Sequence, residues 1–131
     1  MRQKVTDNII VYIRFRKDLD DIIAEAATKK GIPKATFVGN AMTEYITEIS
    51  SSLGGRLDNI SNYPGLLSPL SSSFFAKKGR AVAKNMGKPM RITLKKINEN
   101  NIQLAAQHSG YTITQFRTAI MVTWLQNIHE I

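Results

Sequence analysis

A chain of 131 residues with 43% hydrophobic and 21% charged residues has the composition of one globular domain, or of two very small ones. No apolar run approaches the roughly 18 residues that a membrane span requires, no signal segment opens the chain, and the lack of cysteine excludes disulfides, so we expect a cytoplasmic protein without a membrane partner. The net charge of +8 favours a polyanion such as nucleic acid, although an acidic membrane surface or solubility alone would give the same count.

The first predicted element is a strand from Ile9 to Arg16. Its residues alternate between two faces, and period two with β-branched and aromatic residues is typical of a strand with one buried side. The predicted buried face carries Ile9, Val11, Ile13 and Phe15, and the other face carries Ile10, Tyr12, Arg14 and Arg16.

Two helices are predicted after this strand. Asp18 can cap the first one, whose apolar residues recur at helical spacing from Leu19 to Ala27. Gly31 supplies the left-handed residue that ends it. Pro33 fits the first turn of the second helix, which we expect to run through Ile46.

The region from about Ser50 to Lys88 has the glycines, prolines and serines of a connector. Its apolar residues are expected to cover part of the core, namely Leu66, Leu67, Leu70, Phe74 and Phe75. Ser73 to Met86 is predicted to form a short basic helix. The basic run from Lys77 to Lys88 suits either a solvated face or an arm that binds phosphates, and its cations are Lys77, Lys78, Arg80, Lys84 and Lys88.

A second strand and two further helices are predicted from Pro89 onwards. The strand presents Met90, Ile92 and Leu94 on one face and Arg91, Thr93 and Lys95 on the other. Asn98 is the predicted cap of the next helix, with a staple between Ile97 and Ile102, and Gly110 is its predicted end. Thr112 and Gln115 form a capping box that opens a last helix through Leu125.

The two halves resemble each other. A shift of 79 positions carries Gly31 onto Gly110 and aligns apolar residues throughout, including Ile13 with Ile92, Phe37 with Phe116 and Tyr45 with Trp124. We interpret the pattern as an internal duplication, with repeats at 8–49 and 89–131 and a connector at 50–88. Because one short strand cannot bury its apolar face alone, we predict that the two strands pair antiparallel above four helices. The expected fold is mostly α with a two-stranded β-ribbon.

This pattern resembles the ribbon-helix-helix DNA-binding proteins of the Arc and MetJ kind. The shared motif is a strand, a helix that ends at glycine, and a second helix entered through Gly31-Ile32-Pro33-Lys34 or Gly110-Tyr111-Thr112-Ile113. Two units in one chain are similar to the TraY type of conjugation accessory protein. The resemblance implies a tandem fold, a pseudo-dimer within one chain, whose ribbon enters the major groove of double-stranded DNA.

The resemblance also implies that outward strand residues read bases, and these positions are Ile10, Tyr12, Arg14, Pro89, Arg91 and Thr93. Arg14 and Arg91 can each bridge the two acceptors of guanine. Thr93 can use its hydroxyl or place its methyl group against thymine, and Tyr12 can donate to a base or a phosphate. Ile10 and Pro89 depart from the polar residue that the family often has first. The alternative is a solvated face that protects an edge from aggregation.

Phosphate contacts are expected on both sides of these residues. Arg16 and Lys95 lie one step further out on the strands. The amino ends of the second helices offer free amides and a positive dipole end. The matching positions are Lys34, Ala35 and Thr36 in the first repeat and Thr112, Ile113 and Thr114 in the second. For Thr112, simple capping is the alternative.

The predicted function is sequence-specific DNA binding, with no enzymatic activity, cofactor or metal. Its setting is predicted to be a conjugative relaxosome at an origin of transfer, with a relaxase as a possible partner and a possible role in transcription. The alternatives are a plain transcriptional repressor, an antitoxin-type regulator or a scaffold without DNA. We expect a monomer that reads an asymmetric site, alone or cooperatively with a copy on an adjacent site. Arg91 and Thr93 are expected in a basic setting, and Tyr12 and Arg14 in a nearly neutral one.

Overall fold

In the computed structural model, the residues described are 7–63 and 86–131. The elements are β1 (Asn8–Ile13), α1 (Lys17–Lys30), α2 (Lys34–Ser52), a 3-10 helix (Leu57–Asn62), β2 (Met90–Lys95), α3 (Lys96–Ser109) and α4 (Ile113–Asn127). The prediction of a mostly helical chain with a two-stranded antiparallel ribbon is confirmed. Outside the described residues lie the apolar cover Leu66 to Phe75, nearly all of the helix predicted from Ser73, and the cations Lys77, Lys78, Arg80 and Lys84.

The ribbon pairs β1 with β2 in a register that sets Ile9 opposite Leu94 and Ile13 opposite Met90. β1 ends at Ile13, three residues earlier than predicted, and the register shifts by one residue further along, where Arg16 lies opposite Met86. Contact between the two segments resumes there, and the Gly87 amide donates to the Phe15 carbonyl at 2.7 Å.

Three of the four helix boundaries of the first repeat correspond to boundaries in the second, and the end of α2 at Ser52 does not, because α4 ends at Asn127. The shift of 79 residues carries the first residue of α1 onto that of α3, the last residue of α1 onto that of α3, and the first residue of α2 onto that of α4. Gly31 and Gly110 end α1 and α3 with φ of 71° and 81°, as predicted. In the ribbon, the same shift relates Tyr12 to the residue directly opposite it, Arg91.

The predicted starts of α1 and α3 are wrong. The N-caps are Arg16 and Lys95, so Asp18 and Asn98 lie inside the helices, and Asn98 is buried. Ile97 is also helical and 40% exposed, which rules out the predicted staple with Ile102. Each helix starts almost directly after a paired strand segment, so ribbon geometry rather than a polar cap decides where the backbone turns.

The core lies between the inner face of the ribbon and the four helices. Ile13, Phe15, Met90, Ile92 and Leu94 are buried there, as predicted, with Val11 half-buried. α2 crosses beneath β2 and also contacts α1, α3 and α4. Within the described residues, no helix combines the length and apolar character that a membrane crossing requires.

The 3-10 helix was not predicted from the sequence. It packs against α3 and buries Leu57 and Ile60. Tyr63, which follows it, meets the ring of Tyr45 edge-on with centroids 6.4 Å apart. Burial is the largest cause that raises the pKa of Tyr45 to about 12, consistent with its place in the core.

Candidate nucleic-acid interface

The outer face of the ribbon carries the predicted base-reading residues side by side. Tyr12, whose side chain is 68% exposed, pairs with the exposed Arg91, and Ile10 pairs with Thr93. Neither strand contains a carboxylate. Arg91 and Thr93 were expected in a basic setting, and Tyr12 and Arg14 in a nearly neutral one. The two settings are not separate in the structure, because the register sets Tyr12 directly against Arg91.

A groove separates β2 from the amino end of α2. We call it the α2 groove, and it is lined by Ala35, Thr36, Gly39, Asn40, Thr43, Arg91 and Thr93. It therefore joins two predicted base-reading residues of the second repeat to two predicted phosphate-binding positions of the first. Sequence reasoning missed Asn40 and Thr43, since a polar residue on a helix is ordinarily read as a solvated position.

A corresponding groove lies between β1 and α4. This α4 groove is lined by Tyr12, Ile13, Arg14, Met86, Thr114 and Arg117. Tyr12, Arg14 and Thr114 correspond under the shift of 79 residues to Arg91, Thr93 and Ala35 of the α2 groove. Each strand thus lies beside the second helix of the other repeat, and both grooves combine predicted base-reading and phosphate-binding positions.

Arg14 is anchored at its Nε atom. Nε donates to the carbonyl of Gly87 at 3.0 Å, across the gap between β1 and the segment before β2. This bond restricts the guanidinium while the side chain stays exposed at the ribbon end. A guanidinium held in this way loses less conformational entropy when its terminal nitrogens bind an acceptor.

Two predicted phosphate-binding cations are paired with carboxylates. The Lys34 ammonium lies 2.9 Å from Oδ2 of the buried Asp20, and Nη2 of Arg16 lies 3.0 Å from Oδ2 of Asp18. A phosphate would have to compete with these carboxylates for either cation. Lys95, by contrast, is exposed on the outer face of the ribbon.

The shift of 79 residues relates Asp20 to Glu99, and both carboxylates are buried. Nη2 of Arg117 on α4 lies 2.6 Å from Oε2 of Glu99, so both of these buried acids are paired with a cation of the helix that follows. Sequence reasoning missed both pairs. The signal in the sequence was that Asp20 and Glu99, which the shift of 79 residues relates, are both acidic. Each lies three residues before a core isoleucine, Ile23 or Ile102.

The amino ends of α2 and α4 differ in their caps. Pro33, the N-cap of α2, has no side-chain acceptor, so helix geometry leaves the amides of Lys34, Ala35 and Thr36 without intrahelical partners. At α4, Oγ1 of Thr112 accepts the Gln115 amide at 3.1 Å, and the predicted capping box is present. The positions that the sequence predicted as anion sites are thus at helix starts in both repeats.

Comparison with known families, curated proteins and solved structures found no match for the chain. The assignment of a function therefore rests on the ribbon and its two grooves. Within residues 7–63 and 86–131, no three His, Asp or Glu side chains lie close enough together to hold a metal ion.

Gly87 is expected to be intolerant of a side chain. A Cβ atom there would lie 2.9 Å from Cγ of Asp20, which is buried and paired with Lys34 and so cannot move freely. Gly87→Ala should lower the free energy of unfolding by about 1–3 kcal/mol, the range for overpacked sites, as measured by urea denaturation.

Gly39→Ala is the matched control. Its Cβ would lie 3.5 Å from Ile92 Cγ2 and from the Thr93 carbonyl, which is ordinary contact distance. Because Gly39 lies inside α2, alanine should stabilise the protein by about 0.5–1 kcal/mol. Equal effects at the two glycines would contradict the close approach of Gly87 to Asp20.

Proposed function

We propose that this protein binds double-stranded DNA sequence-specifically, with its ribbon in the major groove, as a tandem ribbon-helix-helix protein. The observation that carries the proposal is the outer ribbon face, where Tyr12, Arg91 and Thr93 are exposed together and without a carboxylate on either strand. A two-stranded ribbon fits the major groove, and that groove presents the full pattern of base donors and acceptors.

The pseudo-dimer part of the proposal is supported by the correspondence of the repeats. The three equivalent helix boundaries and the pairing of Tyr12 with its equivalent, Arg91, are what a twofold axis through the Tyr12–Arg91 pair would produce. Arg91 differs from Tyr12, and Thr93 differs from Arg14. The proposed site on DNA is therefore asymmetric, in contrast to the palindrome expected of two identical units.

The α2 groove and the α4 groove support separate roles for helix starts and ribbon. Phosphates on the two sides of the DNA major groove would meet the amides of Lys34, Ala35 and Thr36 at one helix start and those of Ile113 and Thr114 at the other. Lys95 would add a charged contact beyond Thr93. The ribbon residues between these clamps would reach the base edges.

A salt titration with two duplexes tests this function. A duplex selected from a random library should bind more tightly than a random one, and the association constant for both should fall steeply with salt. The expected slope is about −0.9 logarithmic units per phosphate neutralised, because counterions are released. Fluorescence anisotropy measures the affinity for each duplex and its dependence on salt. Affinity that does not respond to salt, or a selected site that is a perfect palindrome for a single bound chain, would contradict the proposal.

For the biological role, we propose a cytoplasmic accessory protein that binds near an origin of transfer in conjugation. The support is the tandem arrangement in one chain, which is similar to the TraY type. Footprinting on DNA that flanks the protein's own gene tests this role, since a footprint confined to the gene's promoter would favour a repressor instead.

A further inference from the structure

Ile10 is an aliphatic side chain that the fold leaves in solvent at the reading face. It lies in β1 with its side chain 45% exposed, whereas its neighbour Val11 packs against the core. Core packing therefore does not explain why a large apolar residue stands here. Its position on the outer face puts it among the residues assigned to base reading.

The residue opposite Ile10 is Thr93, which is also exposed. Together they place methyl groups from both strands at one level of the ribbon. The next level holds Tyr12 and Arg91, and beyond it Arg14 is fixed by its bond to the Gly87 carbonyl. The reading face thus has an apolar level on one side of its centre and an anchored guanidinium on the other.

We propose that Ile10 is a specificity-determining residue that contacts the C5 methyl group of thymine, with the methyl group of Thr93 beside it. This inference rests on the proposed DNA binding. In the major groove, the thymine methyl is the apolar feature of the four bases, and aliphatic side chains recognise it by contact, whereas guanidinium groups select guanine. The asymmetric site then has a thymine-reading end at Ile10 and a guanine-reading end at Arg14.

The charges nearby agree with DNA as the occupant of this apolar surface. Lys95 follows Thr93 on the same face, and Arg91 precedes it, so cations flank the Ile10 level along β2. An apolar patch with flanking cations and no carboxylate in either strand suits the major groove, where thymine methyls lie between two rows of phosphates.

The test is a deoxyuridine scan of the duplex selected from a random library. Deoxyuridine pairs as thymidine does but lacks the methyl group. We expect about a fourfold loss of affinity per contacted methyl at one or two adjacent positions, from the transfer free energy of one such group. Ile10→Ala should bind the selected duplex more weakly and should no longer distinguish thymine from uracil there, which a double-mutant cycle measures.

Two variants serve as controls. Ile10→Val keeps branched methyl groups and should keep the thymine preference. Leu104→Ala removes an equally exposed side chain, at 45%, from α3, and should leave the preference unchanged.

The outcomes separate this inference from the function on which it rests. A selected duplex that binds no better than random DNA would overturn sequence-specific binding itself. Specific binding without any uracil effect, or with the full effect retained in Ile10→Ala, would overturn the role of Ile10 alone. The scan of the unaltered protein needs no variant, so the absence of any uracil effect would overturn the inference even if Ile10→Ala weakens the ribbon.

Discussion

Arg91→Ala is expected to abolish most of the preference for the selected duplex while reducing binding to random DNA much less. Arg91 is exposed on the outer face of the ribbon and pairs across it with Tyr12. A guanidinium that bridges the two acceptors of a guanine contributes about 1–3 kcal/mol of discrimination. Anisotropy titrations with selected and random duplexes at one salt concentration measure the loss.

Two further variants separate charge from geometry. Arg91→Lys keeps the charge but loses the planar fork, so it should lose specificity nearly as much as alanine does. Lys95→Ala removes an exposed cation from the same strand and face, and should weaken binding to both duplexes by similar factors while reducing the salt slope by about 1. If Arg91→Ala behaved as Lys95→Ala does, Arg91 would be a phosphate contact.

Arg117→Met is expected to destabilise the fold by about 3–5 kcal/mol, the range for removal of one partner from a buried ion pair. The side chains of Arg117 and Glu99 are only 11% and 8% exposed, and their closest atoms are 2.6 Å apart. Without Arg117, the carboxylate would keep the Gln103 amide, which donates to the same oxygen at 2.8 Å, but it would have lost its cation. Urea denaturation measures the difference.

The double variant Glu99→Met with Arg117→Met tests whether the loss comes from leaving one buried charge unpaired. It removes both charges together, and such replacements are often neutral or stabilising, so it should recover most of the lost stability. Lys29→Met breaks an exposed pair with Glu130 and should cost far less, because water already solvates that ammonium group. A double variant as unstable as Arg117→Met would mean that the site needs polar groups for another reason.

Much of the candidate site could be predicted from local patterns. Alternation assigned Tyr12, Arg91 and Thr93 to the outer face because strand side chains alternate regardless of what packs against them. Gly31 and Gly110 marked helix ends because few other residues adopt a left-handed conformation readily. The capping box at Thr112 was equally visible, since its bonds lie within four consecutive residues.

Other features depended on contacts between distant segments. The starts of α1 and α3 were misplaced because Arg16 and Lys95 are caps only by virtue of the ribbon that precedes them. The pairing of Lys34 with Asp20 was missed because side chains fourteen residues apart meet only when two helices pack together. The bond from Arg14 to Gly87 spans 73 residues, and local spacing does not predict it.

The sequence by itself determined the two strands and the four α-helices, their order and the buried side of each strand. These are properties of short windows of sequence. Only the tertiary structure decided that Arg91 lies opposite Tyr12 and beside α2 of the other repeat. The physical reason is that the strands are buried only when distant segments of the chain pack together. The neighbours of Arg91 therefore depend on this packing and not on the local sequence.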